Sequence, residues 1–195
     1  KKILLEKGKY LPVVTTLHGT DITLVGKNPS YKPAVTFSIN KSDVVTSVSE
    51  SLKKDTLSSF VIKNEIEVIP NFIDIDLYQV EEECNREQIA SNNERIVIHI
   101  SNMRELKRIP DVISIFHRIQ KEEDAILLML GDGPERERAE QQVRDLNIAD
   151  KIMYADNNGE VRRLRWNSYL WRLTSGGESF GLVALEAMAA KVPVI

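Results

Sequence analysis

Short apolar runs alternate along this chain with longer stretches that are polar or repeat with a helical period. Such alternation is typical of strands joined by helical crossovers in a parallel sheet. The apolar runs are nearly uniform, which indicates strands that are buried on both faces. Strands are predicted at residues 13–17, 44–48, 67–69, 96–100, 125–130 and 151–154. The sequence therefore predicts an α/β fold.

Helices are predicted between several of these strands. Residues 109–121 carry an apolar stripe on one helical face, and Pro110 suits a first helical turn. A further helix opens at Pro134 with a narrower stripe. After the second strand, Ser47 and Glu50 have the spacing of a capping box, although Ser49 could equally be the cap.

A change in pattern indicates a boundary between two domains. Residues 81–94 are polar, contain three consecutive glutamates and show no periodicity, as in a linker or surface insertion. The strand that precedes them ends at a proline near residue 70. We therefore predict domains at 1–74 and 75–195. Because the chain opens on Lys1 and stops at an apolar run typical of the start of a buried strand, we also expect a piece of a longer protein, inactive by itself.

Charge and cysteine content exclude several classes of function. The 26 basic and 29 acidic residues give a formal net charge of -3, which offers no general attraction for nucleic acid or anionic membranes. The single cysteine, Cys84, cannot form an internal disulfide and has no neighbouring metal ligands, so a reducing compartment is expected. With no apolar run long enough to cross a bilayer and no signal peptide, the prediction is a cytoplasmic protein. The sequence does not determine whether the protein forms a homo-oligomer.

Two carboxylates frame the motif with the most specific chemical signal. Glu178 lies at the entry to a predicted helix that begins around Phe180, and Glu186 lies within that helix. Gly181 permits close backbone approach, and first-turn amides can bind an anion. A carboxylate among apolar neighbours needs hydrogen-bond donors, and sugar or ribose hydroxyls supply them. The alternative is a purely structural role. Glu178 would then lie near the N-terminus of the helix, where its charge is favourable for the helix dipole, and Glu186 would lie on a solvated face.

Other candidates follow predicted strands. Arg104, Lys107 and Arg108 come after the strand at 96–100, at the edge where α/β sheets bind ligands, although a solvated basic turn is the alternative. His18 follows the strand at 13–17, and an isolated histidine is more often structural. Gly131 begins a turn that resembles a dinucleotide fingerprint but has Arg136 in place of the third glycine. A nicotinamide-dependent oxidoreductase is therefore an alternative.

The motif from Glu178 to Ala189 resembles the nucleotide-sugar motif of the retaining glycosyltransferases that have two Rossmann-like domains, the GT-B type. Residues 68–74 and 130–134 are similar to other segments of that family. Residues 16–22 and 101–108 narrow the resemblance to the N-acetyl-α-D-glucosaminyl L-malate synthases of bacillithiol biosynthesis. The resemblance covers most of this chain and about half of such an enzyme. It implies transfer of N-acetylglucosamine from UDP-GlcNAc to L-malate, with no cofactor and no metal; an inactive remnant is the other alternative.

The resemblance also implies roles for individual residues. Arg104 and Lys107 would hold the donor diphosphate, with Arg108 as a substitute for one of them. The negative charge of the diphosphate grows as the glycosidic bond breaks. Glu178 would bind sugar hydroxyls, and His18 the sugar or the acceptor. Further donor contacts are implied at Glu186 for the ribose and, through the motif and the glycine turn, at Gly131, Ser179, Phe180, Gly181 and Leu182. Thr16 is placed with His18 on the acceptor side.

Residues 154–177 depart from the family pattern. Where the family would have an amphipathic helix and an apolar strand, this chain has four arginines and two tryptophans, and we expect no apolar strand after Tyr154. The length of the stretch is nevertheless unchanged. Two compensating shifts of reading frame explain this combination, and translation of the underlying DNA in another frame tests the hypothesis by the presence or absence of an apolar strand.

Overall fold

The computed structural model describes residues 6–8, 10–26, 28–78, 89–91, 93–155, 170–171 and 180–194. The chain divides into two units: the first comprises the chain up to Phe72 together with Phe180, and the second comprises the described residues from Ile73 to Trp171 and from Gly181 onward. The predicted linker lies mostly outside the described residues.

The first unit is built on a three-stranded parallel sheet. Its strands are β1 (Val14–Leu17), β2 (Val44–Ser47) and β3 (Ile66–Val68), and its helices are a short π-helix (Asp21–Val25), α1 (Lys32–Asn40) and α2 (Glu50–Ser59). Apolar side chains of the sheet and of these helices form one core, which includes Leu17, Ile39 and Leu52. Ser49, not Ser47, caps α2, because the Ser49 hydroxyl accepts the Leu52 backbone N–H at 3.2 Å.

The second unit is built on a four-stranded parallel sheet with the order β6-β5-β4-β7. Its strands are β4 (Arg95–Ile100), β5 (Ala125–Leu130), β6 (Ile152–Ala155) and β7 (Leu170–Trp171). Its helices are α3 (Ile109–Glu122), α4 (Arg136–Asp145) and α5 (Leu182–Ala189), with short 3-10 helices at Ile75–Tyr78, Glu105–Lys107 and Ala149–Lys151.

Apolar residues pack on both faces of the second sheet. On one face, Val97 and Leu127 belong to a core shared with Phe116 of α3 and Val143 of α4. On the other face, the alternate strand residues belong to a core that includes Ala187 of α5. Every residue of β5 is buried. The prediction of strands buried on both faces holds for β4 and β5, whereas β1, β3 and β6 each have partly or fully exposed residues. The predicted α/β class with parallel sheets is confirmed.

Two details of the sequence-based description are wrong. Residues 154–177 were expected to lack the apolar strand of the family pattern, whereas Leu170–Trp171 pairs in parallel with Val97–Ile98 of β4. Helix α5 begins at Leu182 rather than around Phe180, because Gly181 has a positive φ of 77° that interrupts the helical backbone. Among the described residues, no helix has the length and apolar character needed to cross a bilayer.

Candidate functional site

The carboxyl ends of β4 and β5 lie side by side in the second unit. The two strands pair in parallel along their whole length, up to Ile100 opposite Leu130. Ligands of α/β proteins bind at this edge of the sheet. The segments that leave it, residues 101–108 and 131–136, contain three of the residues predicted from the sequence: Arg104, Lys107 and Gly131.

The basic residues after β4 occupy different environments. Arg104 has an extended backbone and an exposed side chain, directly before the 3-10 helix Glu105–Lys107. Lys107 is half-buried at the end of that helix. Arg108 has a left-handed backbone and forms an ion pair with Asp111 in the first turn of α3. Arg108, the predicted substitute for a phosphate contact, therefore already has a carboxylate partner.

The turn that precedes Arg104 is anchored at Met103. The Met103 backbone N–H donates to the Ser101 hydroxyl at 3.2 Å, and the Met103 carbonyl accepts the Glu135 N–H at 2.9 Å. The Met103 side chain is fully buried in the core against α3 and α4. Its φ of 39° lies in the left-handed region, which non-glycine residues adopt only at an energetic cost. The residue before Arg104 is thus fixed at its backbone N–H, its carbonyl and its side chain.

The glycines after β5 allow the two turns to touch. Gly131 has a φ of 107°, and a Cβ atom at this position would overlap the backbone carbonyl oxygen of Ser101. A Cβ atom at Gly133 would overlap the carbonyl oxygen of Asn102. The amides of both glycines are already bonded within the protein: Gly131 N–H donates to the Ala155 carbonyl at 3.2 Å, and Gly133 N–H donates to the Asp132 carboxylate at 2.8 Å. These glycines therefore serve the packing of one turn on the other.

Arg136, which occupies the place of a third fingerprint glycine, is held by side chains of the second unit. Its guanidinium lies over the Tyr154 ring, 5.1 Å from the ring centre, and its Nε donates to Glu140 at 3.1 Å. The Tyr154 hydroxyl is buried and has no hydrogen-bond partner among the described residues, and burial raises the pKa of that phenol. The departure from the dinucleotide fingerprint thus coincides with a packing role for Arg136.

Helix α5 carries the second glutamate of the sequence motif. Glu186 is half-buried, and the next residue, Ala187, packs fully buried against the sheet. Leu182, the first residue of the helix, is exposed. Gly181 directly precedes the helix, and Phe180 is grouped with the first unit, where it packs against the core. Glu178 and Ser179 lie outside the described residues.

The candidate residues of the first unit lie at the carboxyl end of β1. His18 is exposed and directly follows the strand, and Gly19 then turns the chain with a φ of 133°. The Thr46 hydroxyl of β2 donates to the Thr16 hydroxyl at 2.9 Å. Thr16 and His18 therefore lie at an edge of the first sheet, the position that the sequence predicted for His18.

A polar pair at the end of β4, His99 and Ser101, was not among the functional residues predicted from the sequence. His99 is 1% exposed, and its Nε2 lies 2.9 Å from the Ser101 hydroxyl. The signal was present in the sequence, because a histidine and a serine two residues apart interrupt an otherwise apolar run. Within the part of the chain that the structure describes, no group of three or more histidine, cysteine, aspartate or glutamate residues could hold a metal ion.

Two family descriptions match the chain. Residues 81–195 match Glycosyl transferases group 1, and residues 3–77 match Glycosyltransferase Family 4. The chain is 44% identical over 190 residues to the N-acetyl-alpha-D-glucosaminyl L-malate synthase of Bacillus anthracis, a match that covers 96% of this chain and 50% of that protein. The chain thus spans about half the length of this relative.

Solved structures support the fold. The Anabaena protein HepE, solved in complex with UDP and glucose, has a TM-score of 0.80 at 21% identity and covers 98% of this chain, which corresponds to 53% of HepE. HepE in complex with UDP-glucose has a TM-score of 0.79 at 20% identity, with 98% and 54% covered. The predicted fold class, with Rossmann-like domains of the GT-B type, is confirmed, and so is the predicted family resemblance.

Proposed function

Because the chain belongs to the glycosyl transferases group 1 family, we propose that it forms part of a retaining enzyme that transfers N-acetylglucosamine from UDP-GlcNAc to L-malate. The main structural support for this proposal is the position of Arg104 and Lys107 after the carboxyl end of β4, on a turn that Met103 anchors. The similarity of the chain to the N-acetyl-alpha-D-glucosaminyl L-malate synthase of Bacillus anthracis supports this choice of substrates.

The two cations suit a diphosphate leaving group. When the bond between the sugar and the β-phosphate breaks, its electron pair stays on the phosphate, and negative charge grows there. Fixed cations at that point stabilise the transition state more than the bound donor. In this proposal Arg104 and Lys107 supply that charge, and the Gly131 turn holds the segment that carries them.

Other contacts follow from the placement of the remaining candidates. Glu186 accepts hydrogen bonds from the ribose hydroxyls, which suits a half-buried carboxylate on α5. Glu178 accepts from sugar hydroxyls. Thr16 and His18 contribute to the acceptor side. Further donor contacts are assigned to Ser179, Phe180, Gly181 and Leu182.

The reaction requires no protein nucleophile. The L-malate hydroxyl oxygen forms a bond to the anomeric carbon on the face from which UDP departs, and its proton passes to the departing phosphate oxygen. The configuration at the anomeric carbon is thereby retained. We propose that the enzyme needs no metal, because Arg104 and Lys107 neutralise the phosphate, and that it acts in the cytoplasm, as the single Cys84 indicates.

An assay of the longest polypeptide expressed from the gene tests the proposal. UDP-GlcNAc and L-malate should yield an α-linked glucosaminyl malate, identified by mass spectrometry and NMR, and the rate should persist in EDTA. UDP should raise the melting temperature, whereas NAD should not. Stabilisation by NAD and not by UDP would favour an oxidoreductase instead, and binding of UDP without turnover would favour an inactive remnant.

A further inference from the structure

We propose that Ser101 is a positioning residue that fixes Arg104 for contact with the donor diphosphate. The inference rests on the proposed function and adds to it a residue that does not itself touch substrate. Ser101 follows the last residue of β4, and its hydroxyl lies between the His99 ring, at 2.9 Å, and the Met103 backbone N–H, at 3.2 Å.

The hydroxyl is suited to both contacts at once. Serine offers one donor and two acceptor lone pairs, so its oxygen can accept from Met103 and still bond to either tautomer of the His99 ring. The ring is 1% exposed within β4, so the contact ties the turn to a rigid strand. In addition, the Ser101 backbone N–H donates to the Leu130 carbonyl at 3.1 Å, which fixes the origin of the turn.

Met103 transmits this constraint to Arg104. A buried residue with a φ of 39° stays in that conformation only when its surroundings determine it, because the left-handed region is unfavourable for a non-glycine residue. The Ser101 hydroxyl supplies the partner of the Met103 N–H. If that partner is lost, the turn can relax, and the Arg104 backbone that follows it changes direction. Since a binding group must be held within about 0.5 Å of its productive position, a small relaxation is sufficient to weaken the phosphate contact.

The closing experiment compares Ser101→Ala and Ser101→Thr with the wild type in the longest polypeptide expressed from the gene. Titration calorimetry gives the affinity for UDP, steady-state kinetics with UDP-GlcNAc and L-malate give kcat/KM, and thermal unfolding gives stability. Ser101→Ala should lower kcat/KM about tenfold, and Ser101→Thr, which keeps the hydroxyl, should restore most of it.

Ser114→Ala is the matched control. The Ser114 hydroxyl also makes two hydrogen bonds in the second unit, donating to the Pro110 carbonyl at 2.8 Å and accepting from Gln142 at 2.9 Å. Its loss removes as many contacts on α3 but leaves the turn at Met103 intact. We expect Ser114→Ala to keep its kcat/KM even where its stability falls as much as that of Ser101→Ala.

A double-mutant cycle with Arg104→Ala separates positioning from a merely structural role. If Ser101 acts through Arg104, Ser101→Ala should have little further effect on kcat/KM in the Arg104→Ala background. Full additivity, or wild-type kinetics in Ser101→Ala, would overturn the inference while leaving the proposed function intact. A wild-type protein that neither binds UDP nor transfers sugar would overturn the proposed function, and the inference with it.

Discussion

A Cβ atom on Gly133 would overlap the carbonyl oxygen of Asn102, because the turn after β5 packs directly on the turn after β4. Gly133 and Asn102 are distant in sequence, and the backbone of Asn102 can occupy its position only because Gly133 has no side chain. The neighbouring Glu135 N–H then donates to the Met103 carbonyl at 2.9 Å. The glycine turn thus supports the segment that carries Arg104 and Lys107.

Substitution of Gly133 by alanine should disturb this contact. The neighbouring atoms are backbone, so relief requires one turn to move, and we expect a loss of about 1–3 kcal/mol in the free energy of unfolding. UDP affinity, measured by calorimetry, should also fall, because the turn before Arg104 is displaced. Asp132→Asn is the control: its side chain is 72% exposed and its amide oxygen can still accept the Gly133 N–H, so a change within about 0.5 kcal/mol is expected. Equal effects of both substitutions would contradict the packing role.

Lys107→Ala should affect turnover more than donor binding. The phosphate charge that Lys107 would meet increases as the glycosidic bond breaks, so the interaction is stronger in the transition state than in the bound donor. We expect kcat to fall by more than the affinity for UDP-GlcNAc, with both quantities measured on the same preparation. Lys121→Ala, at an exposed position near the end of α3, should leave both unchanged. An effect on affinity alone would argue against the proposed role.

Glu186→Gln should lower donor affinity or turnover at least tenfold, about 1.4 kcal/mol, through loss of a charge-assisted hydrogen bond. Glutamine has nearly the same volume, so the packing of α5 at Ala187 should persist. Calorimetry should compare UDP with its 2′,3′-dideoxy analogue, which lacks both ribose hydroxyls. If Glu186 binds those hydroxyls, the wild type should bind UDP much more tightly than the analogue, and Glu186→Gln should bind the two with more similar affinity. Glu122→Gln at the exposed end of α3 serves as the control. If the variant discriminates as strongly as the wild type, the ribose assignment is wrong.

The strands could be predicted from the sequence, whereas the contacts between loops could not. Uniformly apolar runs such as 125–130 have few alternatives to a buried strand, and the structure has that strand with the same limits. The packing of Gly133 on Asn102 depends on atoms from separate loops, and no local pattern encodes their distance. The sequence-based prediction placed the start of α5 too early, around Phe180. Gly181 has a positive φ, which is not helical, and apolar periodicity does not reveal the φ of a glycine.

The functional residues also divide into those that could be predicted from the sequence and those that could not. The strand at 96–100 was clear from the sequence, and the family resemblance then assigned the diphosphate contacts to Arg104 and Lys107 in the segment that follows it. Ser101 was overlooked, since a hydroxyl after a strand is common and its partners, His99 and the Met103 N–H, are evident only in the folded turn. The resemblance implied a donor contact at Gly131; its N–H donates to the Ala155 carbonyl within the protein, and the donor contact stays a prediction.

At the opposite edge of the second sheet, Lys151 joins the starts of three strands. Its Nζ donates to Glu94 at 2.7 Å, just before β4, and to Asp124 at 2.8 Å, just before β5, while Lys151 itself directly precedes β6. The hydrogen bond from Lys151 is the main cause that lowers the Glu94 pKa from its ordinary value of 4.5, and the Ser91 backbone N–H adds to it. Hydrogen bonds to Asp124 and Glu94 raise the Lys151 pKa.

The direction of these shifts fixes how stability should depend on pH. Since the Glu94 pKa is lower in the folded protein, its contribution to stability is present above the unfolded pKa and is lost as the pH falls through the folded one. The Lys151 contribution, from a raised pKa, is lost only as the pH rises through the folded pKa of the ammonium, in the alkaline range. Both contributions are therefore present near pH 7.

Lys151→Met should accordingly lower the melting temperature near pH 7, where it leaves Glu94 without its ammonium partner. As the pH falls through the titration range of the Glu94 carboxyl, the wild type loses the same interaction, and the difference in melting temperature between wild type and variant should shrink. Lys121→Met, on the exposed surface of α3, controls for the loss of a lysine charge and should show no such dependence. A difference that stays constant from neutral pH to below the carboxyl range would show that the Lys151 ion pairs do not stabilise the sheet.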